Sequence, residues 1–165
     1  MHRGKMYIYK SKEFLMRLLG NILWHIPFLG FVDAIIVYLL GLLLTITVVA
    51  APLGLGLMEY GKFLFAPFSH AMISKSDLNI EQNALWQGYS FIIMLIYLPL
   101  GLILAIIGIF QAIGLALTIV GIPVALVVAK SLTTYLNPVN KKCVDVTVAQ
   151  EIDRQRAQSQ INKII

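Results

Sequence analysis

Two stretches almost free of charge constrain this chain more than anything else in it. From Leu18 to Met58 the only formal charge is Asp33, and from Ala84 to Ala129 there is none. As straight helices rising about 1.5 Å per residue these runs would reach roughly 60 to 70 Å, twice a hydrocarbon core of roughly 30 Å, so each has to fold back on itself. The composition agrees: 59% of residues are hydrophobic against 13% charged, and the mean hydropathy is +0.83, far above that of a soluble domain. The formal charge of +5 comes from the flanks, with Arg3, Lys5, Lys10, Lys12 and Arg17 ahead of the first run. That is membrane-flanking charge and not a nucleic-acid face, so the expected partner is a lipid bilayer and no nucleic acid.

Turn chemistry stands where fold-backs need it, in Val49-Ala50-Ala51-Pro52 and Val120-Gly121-Ile122-Pro123. Proline breaks a helix interior but suits the first turn of a new helix, so Pro52 and Pro123 are expected to open second helices, with Gly121 in the turn before the second. Thr47 and Thr118 each stand shortly before the proline, within reach of a carbonyl that the turn leaves unpaired. The two blocks also match without a gap in one register, the one that lays Gly30 on Gly101: Leu29/Leu100, Ala34/Ala105, Thr47/Thr118, Pro52/Pro123 and Pro67/Pro138 are among the further identities. Apolar composition inflates matches among Leu, Ile and Val but does not bring prolines, a glycine and a threonine into one register. The predicted fold is an all-α integral membrane protein of two tandem helical-hairpin repeats, about four membrane segments with Pro-containing turns. Its divisions are a basic interfacial segment at 1–19, repeat one at 20–68, a linker at 69–83, repeat two at 84–139 and a polar cytoplasmic tail at 140–165. Gly30 with Ala34, and Gly101 with Ala105, put a small-residue stripe on the first helix of each repeat, a surface for close helix packing.

Lys62, Lys75, Lys130, Lys141 and Lys142 fall on the same side as the basic N-terminus if each block crosses twice, while the proline turns are uncharged. The excess of positive charge then predicts cytoplasmic N- and C-termini. A second arrangement, in which the second segment of each block is re-entrant and the repeats are inverted, stays open because the linker charges Lys75, Asp77 and Glu81 nearly balance. The first apolar run is too long for a signal-peptide core and contains His25, Pro27 and Asp33, so it reads as retained. Cys143 is the only cysteine, which excludes an intrachain disulfide and a cysteine metal cage. The tail reads as a short polar helix.

Asp33 is the leading functional candidate, because an ionisable group at membrane depth costs on the order of 3 kcal/mol and needs a partner or a hydrated path. His25, two helical turns earlier on roughly the same face, and Gln111 complete a candidate membrane polar site. Glu59 and Lys130 occupy equivalent positions of the two blocks and are a candidate pair across the repeats, while Lys62, one turn after Glu59, is the simpler local partner. Trp24 and Trp86 suit an interfacial anchor belt. No nucleophile, metal or phosphate-loop constellation can be located, so no enzyme activity, cofactor or metal site is expected. Two classes of function remain. One is an oligomeric channel or transporter for ions or small solutes, with a pathway formed between protomers because four spans enclose little space. The other is a non-catalytic structural or accessory protein binding lipid or a larger membrane complex.

The strings Gly20-Asn21-Ile22-Leu23-Trp24, Leu44-Thr45-Ile46-Thr47, Ala66-Pro67-Phe68 and Thr118-Ile119-Val120-Gly121-Ile122-Pro123 resemble the YccF family of small bacterial inner-membrane proteins, whose domain is built from a duplicated segment of this kind. The resemblance covers Leu19 to Val139. It departs from the pattern where Ala50-Ala51 replaces the Gly121-Ile122 of the second block. It implies a multi-pass location in the bacterial inner membrane and names no activity.

Overall fold

The computed structural model describes the backbone of residues 2–164 and the side chains of residues 11–162. Along the described residues, helices and two short strands follow in order: α1 His2–His25, α2 Gly30–Ile46, α3 Ala51–Phe65, β1 His70–Ser74, α4 Ala84–Ala116, α5 Ile122–Leu136, β2 Lys141–Asp145 and α6 Val146–Ile164, with a 3-10 turn at Lys75–Leu78 after β1. The side chains of Arg3, Lys5 and Lys10, on which the basic start partly rests, lie outside the described residues.

Helices α2 and α3 form one hairpin, and the second half of α4 with α5 forms the other. Among the described residues only α4, with 33 residues, is by itself long and apolar enough to cross a membrane; Ser11–His25 and Gly30–Ile46 pass that test together but meet at 78°. Helices α3 and α5 have 15 residues each, about 22 Å, short of a hydrocarbon core of about 30 Å. The bend corrects the expectation of one unbroken first helix in each repeat. Pro27 disfavours helical geometry at Ile26, and Leu29 turns left-handed at φ 52°. The indole of Trp24 then folds over Gly30, where a Cβ would collide with it, and its Nε1 donates to Leu64 O at 2.9 Å. Trp24 is only 5% exposed, so it is a core residue and not a belt anchor. In the register that lays Gly30 on Gly101, Leu95 corresponds to Trp24, and α4 runs on through Pro99, as helices in lipid tolerate when neighbours re-satisfy the backbone.

Glycine sets how closely each hairpin closes. Gly41 of α2 faces Gly54 of α3: a Cβ on Gly41 would sit 2.7 Å from Gly54 O, and one on Gly54 2.6 Å from Thr45 N. Of the small-residue stripe, Ala34 is fully buried and Ala105 nearly so. Gly101 backs onto Tyr135 O. Pro52 and Pro123 stand in the first turns of α3 and α5. Before them, Thr47 Oγ1 donates to Leu44 O at 2.7 Å and accepts from Ala50 N, and Thr118 Oγ1 donates to Leu115 O at 3.0 Å and accepts from Gly121 N. Both turns therefore close the same hydrogen bonds.

The strands are a correction to the all-α expectation. β1, in the segment read as a linker, pairs antiparallel with β2, at the start of the segment read as a tail, in the register His70 with Asp145, Met72 with Cys143 and Ser74 with Lys141. Strand periodicity over so few residues does not stand out beside the long apolar runs. The register that lays Gly30 on Gly101 also lays the bounds of α3 on those of α5, and the bounds of β1 on those of β2. It lays Met72 on Cys143 as well, so the ladder has a local twofold axis at that pair, perpendicular to the strands. The same pairing continues outward through Lys75 N to Asn140 O and Val146 N to Ser69 O. Helix α6 closes back on the linker through an ion pair between Arg156 and Asp77.

Two outcomes follow. Gly54→Ala should lower the thermal unfolding midpoint in detergent by an amount equivalent to about 1 to 3 kcal/mol of overpacking, whereas Gly114→Ala, with nothing within 4 Å of the new Cβ, should leave it unchanged or raised. Burial, with Glu59 adding to it, pushes the Cys143 thiol up to about 11. The thiol is then neutral at pH 7 to 9, and its alkylation by iodoacetamide in the folded protein should stay slow there and accelerate as pH rises towards that value; a rate at pH 8 equal to that of free cysteine would contradict this.

Candidate functional site

Where the two hairpins meet, a cavity of about 360 Å³ opens, lined by Trp24 of α1, Asp33 of α2, Tyr60 of α3, Gln111 of α4 and Tyr135 of α5, with Phe28 at the bend. Valine and leucine side chains from α2, α3 and α5 contribute to its walls. Behind it lies the apolar core, in which Phe63 and Val127 are buried against Trp24, Ala34 and Tyr60. Tyr60 Oη donates to Tyr135 Oη at 3.2 Å, with the two rings edge to face at 5.8 Å. This pair joins the hairpins across 75 residues of sequence.

Chemically the cavity is one carboxylate, one carboxamide, two phenols and two further aromatic rings, with no Lys, Arg or His in its lining among the described residues. Among the described residues Asp33 takes part in no ion pair. It lies in the first turn of α2, nearer a helix end than an unbroken helix would put it, and both Asp33 and Gln111 are exposed in the single chain. An unpaired carboxylate facing aromatic rings is the chemistry that receives a cation, through charge and through the negative ring faces.

Of the residues singled out from sequence, Asp33 and Gln111 come together here and His25 does not. The break after α1 turns His25 away from the cavity, and its Nε2 donates to Phe65 O at 2.8 Å. Glu59 bonds Lys62 Nζ at 2.7 Å through one oxygen and accepts Cys143 N at 3.0 Å through the other, tying α3 to β2. Lys130 makes no bond to Glu59. Its ammonium donates to Pro67 O at 3.1 Å and sits 5.3 Å above the ring of Phe68, because the pairing of the repeats brings α5 against the end of α3 and not against Glu59. Sequence reasoning missed Tyr60 and Tyr135, whose signal is an isolated phenol on each second helix. It also missed Asn21, which donates to Ser69 Oγ and accepts Phe68 N, locking α1 to the start of β1.

No curated protein and no solved structure matches the chain. Residues 19–70 match the YccF family, described as an inner membrane component domain, and this is the one copy detected. The matched span runs from the end of α1 through the first hairpin into β1, and so includes Trp24, Asp33 and Tyr60. The match of residues 19–70 to the YccF inner membrane component domain, together with the apolar helices, implies a membrane protein.

Proposed function

We propose that this chain is a multi-pass bacterial inner-membrane protein built from two copies of one segment, working as an oligomeric channel or transporter for ions or small solutes, with Asp33 as its cation-binding group. The observation that carries the reading is the Asp33 carboxylate, exposed in one chain and lining an aromatic cavity with no cationic neighbour among the described residues. In hydrocarbon such a group calls for water or a second protein surface, and a homo-oligomer with a hydrated path along the cavity mouths supplies both.

The two hairpin tips stand at opposite ends of α4. Tyr89, in the second turn of that helix, donates to Val49 O in the first tip, whereas the second tip follows Ala116 at the other end, about 40 Å further along the helix. This supports the arrangement in which the repeats are inverted and their hairpins point in opposite directions. Ile46, Val48 and Val49 at one end and Leu117, Ile119 and Val120 at the other are apolar and exposed.

Two measurements test the reading. In proteoliposomes Asp33→Asn should reduce cation flux at least tenfold while oligomer mass and thermal midpoint hold; unchanged flux would remove Asp33 from any pathway and favour an accessory role. Val49→Cys and Val120→Cys should react with a membrane-impermeant maleimide from opposite faces, and labelling of both from one face would overturn the inverted arrangement.

A further inference from the structure

A second cavity, sharing no residue with the first, lies where the linker meets the start of α4. It has a volume of about 240 Å³ and includes Lys75, Gln87, Ser90, Asn137, Phe91 and Met94 in its lining, with no Asp or Glu. Two of its polar groups are left with donors to offer. Lys75 Nζ donates to Val139 O at 3.1 Å, which leaves the ammonium further N–H groups to offer. Asn137 accepts Asn140 N at Oδ1, so its free group is the N–H₂ donor. The hydroxyl of Ser90 and the carboxamide of Gln87 add donors of their own. The cavity thus offers one positive charge and several donors, with no carboxylate among its described lining residues.

Polarity changes along the cavity in a fixed direction. Gln87, Ser90, Phe91 and Met94 share one face of α4 at helical spacing. The polar members are nearest the charged linker and the apolar ones lie further into the helix, which then continues without a charge to Ala116. A ligand matched to this gradient has an anionic head bound by nitrogen donors and an apolar body passing along Phe91 and Met94 into lipid. The volume is below the range of about 300 to 1,000 Å³ that encloses a whole small molecule, so it fits a headgroup while the remainder stays in the bilayer.

We infer that this cavity binds the phosphate group of an anionic phospholipid at the membrane–water boundary, with Lys75 as the charged donor and Asn137, Gln87 and Ser90 as neutral ones. Half-burial lowers the ammonium of Lys75 below its usual range by desolvation, against a smaller opposing pull from Glu59; a bound phosphate restores the counter-charge that water no longer provides. The site is independent of the transport reading and stands if Asp33 proves inert.

The test is native mass spectrometry of the full chain in detergent, titrated with phosphatidylglycerol, phosphatidylcholine or inorganic phosphate. Phosphatidylglycerol should form a one-to-one adduct in preference to phosphatidylcholine. Lys75→Gln should weaken it about tenfold, equal to about 1.4 kcal/mol, while Lys142→Gln, the same charge loss on an exposed strand residue outside the cavity, should not. Ser90→Leu fills the cavity without changing charge and should remove the preference with the fold intact. Competition by inorganic phosphate alone would assign the same donors to the free anion, and absence of competition to the lipid. Equal effects of Lys75→Gln and Lys142→Gln, or an adduct indifferent to Ser90→Leu, would overturn the site.

Discussion

In hydrocarbon no solvent accepts or donates a hydrogen bond, so each place where a helix stops must be satisfied by the chain itself. The rest of this structure depends on how that requirement is met. At the two hairpin turns a threonine bonds back to a carbonyl and forward to an amide, at Thr47 and again at Thr118. At the sharper break between α1 and α2 the partners lie at longer range: Trp24 donates to Leu64 O and His25 to Phe65 O, so the end of α3 accepts from the end of α1. Those two bonds fix the bend, and the bend brings Asp33 to the cavity and turns His25 out of it.

In the register that lays Gly30 on Gly101, corresponding positions hold different chemistry. The counterparts of Asp33, Trp24 and Gln111 are Leu104, Leu95 and Leu40, and that of Glu59 is Lys130. The polar cavity is therefore made on one side of the local twofold only. Tyr89 breaks the symmetry in the other direction: its hydroxyl donates to Val49 O and holds the tip of the first hairpin, a bond that its counterpart Leu18 cannot make. A charge exchanged between equivalent sites also finds different partners. Glu59 accepts a strand amide, whereas Lys130 donates to a loop carbonyl and rests on an aromatic ring.

What could be read directly from sequence was what charge and proline control. The positions of the two apolar blocks, the turns at Pro52 and Pro123, and the threonine bonds before them follow from rules that act within a turn or two of chain. The Glu59 to Lys62 contact is of the same kind. What could not be read depends on partners distant in the chain. The strand pair joins Ser74 to Lys141, and each strand alone is a short segment of mixed polarity. Tyr60 and Tyr135 acquire meaning only when the hairpins cross. Trp24 reads as an interfacial residue because its indole is amphipathic, and it is a core residue because Gly30 leaves room for it.

The strand pair also sets an order of events. Ser74 and Lys141 are separated by 67 positions, and the whole second hairpin lies between them. During synthesis at about 5 to 20 residues per second, β1 leaves the ribosome and waits on the order of several seconds with its edge unpaired while that hairpin is made. Contacts between segments so far apart also form late because loop closure must precede them. The first hairpin is thus made as an unlatched piece, and the strand that joins it to the second is translated only after both hairpins. A chain interrupted before Lys141 would contain both hairpins and leave a sheet edge open to whatever strand lies nearest.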